Sequence, residues 1–352
     1  MDLAPYLELM VEKNASDLFL TSRAPIKLKL KGRLVSVGKT ELTPEVVKQA
    51  AYKTMDERTQ QRFENDWAVD YAIALPDDGG RFRVNAFMQR GEVAMVLRYI
   101  PSKVPTVDEM KLPEVLKDII VAKRGLVLVV GATGSGKSTT IAAMLNHRNE
   151  EQSGHILTIE DPVEYYHPNK RSIVNQREVG IDTPDYATAL RAAMREAPNV
   201  ILIGEIRDME TLQSALELAN TGHLCVSTMH ANNANQAMDR CANLFPSRLH
   251  RQLFLDLSTN FQGIVSQRLV PDLEGSQVAA MEILVRTPLV CDKIREGAFG
   301  EIKKIMTDSG AKGMLTFDES LYRLYKEGRI SLDESLNNAD SRTNLEARIN
   351  FG

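Results

Sequence analysis

The chain has 352 residues, 43% of them hydrophobic and 26% charged, with a formal net charge of −4. That length suits about two domains, one with a sizeable core, and the mild acidity argues against a general nucleic-acid or membrane-surface binder. Three scattered cysteines, Cys225, Cys241 and Cys291, have neither metal-ligand nor disulfide spacing, which suits a reducing compartment.

Met1 to Pro5 has no basic leader ahead of an apolar stretch, and no run approaches the roughly 18 apolar residues of a spanning helix. The expected location is therefore cytoplasmic, with any membrane link made through a partner and no direct insertion. Residues 1–100 read as one α+β unit. Ile26 to Leu30 alternates apolar residues with lysines, and Gly32-Arg33 supplies a turn before Leu34-Val35. Thr43-Pro44-Glu45 predicts a capped helix start running to about Met55. Trp67 to Leu75 predicts a strand, Pro76 to Gly80 a turn, and Arg81 to Phe87 the returning strand. Period two places Phe82, Val84 and Ala86 on one face and Arg81, Arg83 and Asn85 on the other. Arg98 sits near the end of a further strand, Glu92 to Ile100. These arginines read either as a solvated strand face or as a charge-stabilising set. Pro101 to Pro105 breaks the pattern, and 101–111 is the candidate linker.

From about residue 112 a β-loop-α order takes over. Gly125 to Val130 is a short apolar run of the kind that forms a buried parallel strand. It leads into Gly131-Ala132-Thr133-Gly134-Ser135-Gly136-Lys137-Ser138, which matches the phosphate-loop pattern at every fixed position. Thr139 to Arg148 predicts the following helix. Glycines let successive N–H groups converge on one centre, where the helix also directs its positive end. Lys137 would reach the β- and γ-phosphates of ATP, and the Ser138 hydroxyl would ligate Mg²⁺.

His155 to Ile159 predicts a strand ending in Glu160-Asp161-Pro162-Val163-Glu164, which gathers carboxylates on the ligand side of an open α/β sheet. A solvated acidic turn is the plainer reading. Asn199 to Asp208 carries an apolar strand ending at Glu205, with Gly204 where many motors hold a metal-liganding Asp. Glu205 is thus the nearer candidate for the Mg²⁺ shell or for orienting water, while Asp208 suits a helix cap. Thr221 to His230 predicts another buried strand with His223 and His230 at its ends, too far apart in sequence and too isolated for zinc. Each histidine also reads as a structural donor. From about Thr287 the pattern is mostly helical, and the polar tail from Asn337 to Gly352 is expected to fray.

Assembled, these segments resemble the secretion-type ATPases that drive type IV pili, most closely the PilT/PilU retraction group. The resemblance spans about residues 10–330 and rests on Ala15-Ser16-Asp17-Leu18, Arg81 to Phe87, the phosphate loop, Ile159 to Glu164, Asn175 to Val179, Gly204 to Asp208 and Thr221-Gly222-His223. It implies a PAS-like α+β domain at 1–100, a RecA-like P-loop ATPase domain at 112–352, a homo-hexameric ring, and ATP with Mg²⁺ held between domains. It also implies that Glu164 polarises water and that Glu205 is the Walker B glutamate. On the same grounds His223 and His230 sense the nucleotide, Thr139 joins the phosphate-binding set, and Arg81, Arg83 and Arg98 reach the phosphates.

One segment departs from the pattern. Pro288 to Lys293 replaces an Ala-Ile-Arg-Asn helix motif tied to retraction, rejoining it at Ile294-Arg295-Glu296. That fits an accessory retraction motor acting beside a PilT-like ATPase and an inner-membrane pilus platform protein. The competing readings are a nucleotide-binding regulatory partner with little activity of its own, a RecA-like nucleic-acid translocase, and a phosphotransferase.

Overall fold

The computed structural model describes residues 1–30, 32–76, 80–101, 103–308 and 311–351. The chain divides into two units: Met1–Val104 with Val163–Pro168 and Gly180–Asp182, and Pro105–Pro162 with Asn169–Val179 and Thr183–Gly352. Residues 77–79 of the predicted turn, Ser102 of the predicted linker and Gly352 of the tail lie outside the described residues.

The first unit runs α1 (Ala4–Glu12), β1 (Asp17–Leu20), β2 (Pro25–Leu30), β3 (Arg33–Glu41), α2 (Pro44–Thr54), α3 (Glu57–Asp66), β4 (Ala68–Ala74), β5 (Arg81–Gln89) and β6 (Glu92–Ile100). Thr43 caps α2 by accepting from the Val46 N–H, with Pro44 in the first turn where its missing donor costs nothing. Among the described residues the strands form an antiparallel sheet in the order β3-β2-β1-β6-β5-β4. Its period of two buries Phe82, Val84 and Ala86 completely, in a core shared with Met10, Val47, Ala50 and Phe63. On the opposite face Arg83 lies across from Arg98, and Arg98 across from Asp17.

The second unit begins with α4 (Val115–Ile120), β7 (Gly125–Val130), α5 (Lys137–Glu151), β8 (Gly154–Glu160), β9 (Ser172–Glu178), α6 (Tyr186–Ala193), β10 (Val200–Glu205) and α7 (Met209–Asn220). It continues through β11 (Leu224–Met229), α8 (Ala234–Asn243), α9 (His250–Asn260), β12 (Phe261–Pro271), β13 (Gln277–Val285) and α10 (Pro288–Glu296). The chain then passes through α11 (Ile302–Asp308), α12 (Phe317–Lys326), α13 (Leu332–Asn337) and α14 (Arg342–Phe351). The sheet order is β13-β12-β7-β11-β10-β8-β9, parallel except for β13. Strand β7 is buried at all six positions because both faces are covered, Leu126 and Leu128 entering one core and Val127 and Val129 the other. Among the described residues no helix is long and apolar enough to cross a membrane.

The fold class read from the sequence holds: a RecA-like α/β domain preceded by a smaller PAS-like α+β domain. The tail differs from expectation. Instead of fraying it forms α14, because Leu345 is only 2% exposed within a small core with Phe317, Leu321 and Leu336. Arg348 adds an ion pair to Glu319 and stacks over the Tyr322 ring at 4.5 Å. Leu345, with Ile349 packed beside it, and one guanidinium dock a helix whose other residues are largely polar.

Candidate active site

The site grows from the end of β7, where the chain turns into α5. Gly131, Gly134 and Gly136 have φ of 156°, 77° and 84°. At Gly131 a Cβ would stand 2.5 Å from the Gln267 carbonyl oxygen, so that position tolerates no side chain. Lys137 donates through Nζ to the carbonyl oxygens of Gly131 and Ala132, both at 2.9 Å, which holds its ammonium inside the loop. Burial pushes the pKa of Lys137 down, while Glu205 works in the opposite direction. Ala132, Thr133, Gly134 and Ser138 are exposed, whereas Ser135 is buried and its hydroxyl oxygen has no hydrogen-bond partner among the described residues.

Glu205 ends β10 beside the loop. Its side chain is mostly buried, accepts from Arg207 Nε at 2.7 Å and lies 3.1 Å from His230 Nε2 through its other oxygen. Asp208 caps α7 through the Thr211 N–H at 2.8 Å, as its position suggested. A cavity of about 650 Å³ opens from Gly136 and Thr139, walled by Met110, Leu269, Val278 and Arg329. Its lining mixes apolar side chains with polar and charged ones, Lys111, Asp272 and Gln277 among them, which suits a purine base and sugar that carry both kinds of surface.

Within the second unit the structure brings together Gly131 to Thr139, Glu205 and His230. His223 is not among them: it precedes β11, whereas the loop follows β7, and the two strands run parallel in register from Leu224–Gly125 to Met229–Val130. That separates His223 from the loop by roughly 17 Å at ~3.3 Å per residue. There His223 Nδ1 donates to the Leu218 carbonyl at 2.9 Å, closing the end of α7.

Arg81, Arg83, Arg98 and the exposed Glu164 belong to the first unit. Arg98 Nε donates to Asp17 Oδ1 at 2.9 Å, and Arg83 lies 3.4 Å from Asp70. Asp17 is almost wholly buried, so the acid of the Ala15-Ser16-Asp17-Leu18 segment orients an arginine on a neighbouring strand. Sequence reading passed over Asp17 in that role, and over Thr140, Tyr186 and Gln267. Three consecutive polar residues, Ser266-Gln267-Arg268, between the apolar Ile264-Val265 and Leu269-Val270 were the available signal.

The residues fit a nucleotide: convergent loop, a lysine inside it and an adjoining cavity. No group of three or more His, Cys, Asp and Glu that could hold a metal exists among the described residues. That fits Mg²⁺ all the same, which takes few protein ligands and completes its shell with phosphates and water.

A mainly parallel sheet with a phosphate loop after an interior strand, and an acid ending the strand two places away, defines a RecA-like P-loop ATPase. The Type II/IV secretion system protein family matches residues 2–342. The chain belongs to that family and, within it, to the PilT/PilU group of ATPases. It is 47% identical to the type IV pilus ATPase PilU of Pseudomonas aeruginosa, covering 100% of this chain and 92% of that one. Identity to the retraction ATPase PilT of the same organism is 40%, covering 95% and 97%. The crystal structure of the pilus retraction motor PilT with bound ADP superposes with a TM-score of 0.89 at 39% identity, covering 98% and 99%.

Proposed function

We propose that this protein is an accessory retraction motor of a type IV pilus, a homo-hexameric ATPase acting beside a PilT-like ATPase on an inner-membrane platform protein from the cytoplasmic side. The observation that carries the reading is the Lys137 ammonium held 2.9 Å from two loop carbonyls, beside a Glu205 braced by Arg207 and His230.

In this reading Lys137 leaves those carbonyls for the β- and γ-phosphates, and the loop N–H groups from Gly131 to Thr139 complete the cradle. The purine occupies the cavity opening at Gly136. Ser138 and Glu205 would hold Mg²⁺, which when bound neutralises phosphate charge. Glu164 orients the attacking water and takes its proton. Arg81, Arg83 and Arg98 stabilise charge developing on the phosphates, the latter two exchanging Asp70 and Asp17 for phosphate oxygens. His230 reports the state of Glu205 along β11, whereas His223 serves the opposite end of that strand. Work follows if ATP favours one setting of the two units and its products another.

A second reading, a nucleotide-binding regulator of a PilT-like motor, is favoured by the departure at Pro288 to Lys293, the first two turns of α10. Steady-state phosphate release by the purified chain, alone and mixed with a PilT-like motor, separates the two. Lys137→Ala is expected to lower release at least about 100-fold, since it removes the charge that meets the transferred phosphate. Unchanged release would sink the motor reading. Release by the wild type only in the mixture would favour the regulator.

A further inference from the structure

Gln267 lies one position past the last β12–β7 pair, Ser266 with Val130, and so faces the start of the phosphate loop. It is 1% exposed. Its Nε2 donates to the Ser135 carbonyl at 2.7 Å, and its Oε1 accepts from the Thr140 hydroxyl, also at 2.7 Å. One side chain thereby grips both the apex of the loop and the first turn of α5. The glycines that flank it are small for this reason as well as for their φ: a Cβ on Gly136 would stand 2.8 Å from Gln267 Nε2, and one on Gly131 would stand 2.5 Å from its carbonyl oxygen.

A buried amide with both ends satisfied fixes its neighbours in one arrangement, because any movement of Ser135 away from Gln267 strands a buried carbonyl and a buried amide together. Asn or Asp would be a methylene short of this span, and a hydrophobe would leave Ser135 and Thr140 unpaired. We propose that Gln267 is a positioning residue for the phosphate loop, holding the Ser135 peptide and the α5 N-terminus in the geometry that receives the phosphates of a nucleotide. It does not itself meet the reacting atoms. The inference rests on the nucleotide reading of the site, and it assigns to β12 a part in phosphate binding.

The test uses the full chain with a bound fluorescent ADP analogue, displaced either by pyrophosphate or by adenosine. Failure of the wild type to bind the analogue would remove the nucleotide reading itself. With that established, Gln267→Leu, close in volume but without either hydrogen bond, is expected to weaken pyrophosphate by about 10- to 100-fold. Gln267 also lines the cavity, but it is 1% exposed and both its polar atoms are taken by Ser135 and Thr140, so adenosine should change less than about twofold. Equal weakening of both ligands would mean a general structural role and overturn the proposal, as would no change in either. Thr140→Val removes only the hydroxyl that faces Gln267 Oε1 and serves if Gln267→Leu does not fold. It is expected to weaken pyrophosphate about two- to tenfold with adenosine again unmoved, and an unaltered pyrophosphate affinity in it counts against the proposal.

Discussion

At Gly204 a Cβ would stand 2.6 Å from the Tyr186 hydroxyl oxygen and 3.3 Å from both Glu160 Cα and the Ile159 carbonyl. The position where a metal-liganding Asp was missed in the sequence is therefore filled from outside by a phenol, and no side chain has room there. Burial, reinforced by Asp161, Glu160 and Glu205, raises the Tyr186 pKa and keeps the phenol neutral. Gly204→Ala is expected to cost about 1–3 kcal/mol of stability through overpacking. Tyr186→Phe, which removes the clashing oxygen, should recover most of that in the double variant. Thermal melting of the four proteins checks it, and a Gly204→Ala melting curve superposing on wild type would refute the steric account. The glycine was legible as a departure but its cause was not, since Tyr186 reaches it from a helix that no local pattern connects to β10. The loop from Gly131 to Ser138 was legible for the opposite reason, its chemistry being complete within eight consecutive residues.

Helices α11 to α14 bury Ile302, Met306, Phe317, Leu321, Leu336 and Leu345, and Asp340 ties them to β12 through charge. Its carboxylate accepts from Lys303 Nζ at 2.9 Å and pairs with Arg268 Nη2 at 2.8 Å, while Arg268 Nη1 donates to the Asn338 carbonyl at 3.0 Å and its guanidinium lies 3.8 Å from the Phe317 ring centre. Burial alone would raise the Asp340 pKa, but Lys303 and Arg268 outweigh it and hold it below the ordinary value. A depressed carboxylate binds its proton more weakly in the folded state. The stability it confers is therefore present above its unfolded value near 3.8 and lost as pH falls through the folded one. Asp340→Asn is expected to lose about 1–2 kcal/mol at pH 7, allowing for the half-exposed Lys303, and the gap to wild type should close below about pH 4. Urea unfolding across that range checks the sign, and a gap that widens toward acid would contradict it. Sequence patterning marked this region as helical from about Thr287 yet read its last turns as loose. Polarity hid the anchoring because the partners of Leu345 and Arg348 lie on the separate helices α12 and α13, which no helical periodicity within the tail reveals.

Across the whole chain, the first unit takes back residues 163–168 and 180–182 after the phosphate loop has been passed, so Glu164 lies outside the unit that holds Lys137. That return follows contacts made in space, which a reading along the chain order does not supply. What the alternation rule did supply was the arginine face of β5, and the structure adds the acids Asp17 and Asp70 that hold Arg98 and Arg83 in place. The same rule has a sharper result in β12. Gln267 turns to the phosphate loop and Arg268, the next residue, to α13 and the segment before α14, so consecutive side chains answer to different neighbours. The strand therefore cannot absorb a change in length. Deleting or inserting one residue between Ile264 and Gln267 would exchange the two faces, carrying a guanidinium toward the loop and an amide toward Phe317. Such a variant is expected to be insoluble or to melt without cooperativity, whereas one residue added after Gly275, in the exposed turn before β13, should leave a cooperative transition. For anyone enumerating tolerated length variants of this chain, the eleven residues of β12 are a stretch where a frame shift of a single position is expected to be fatal.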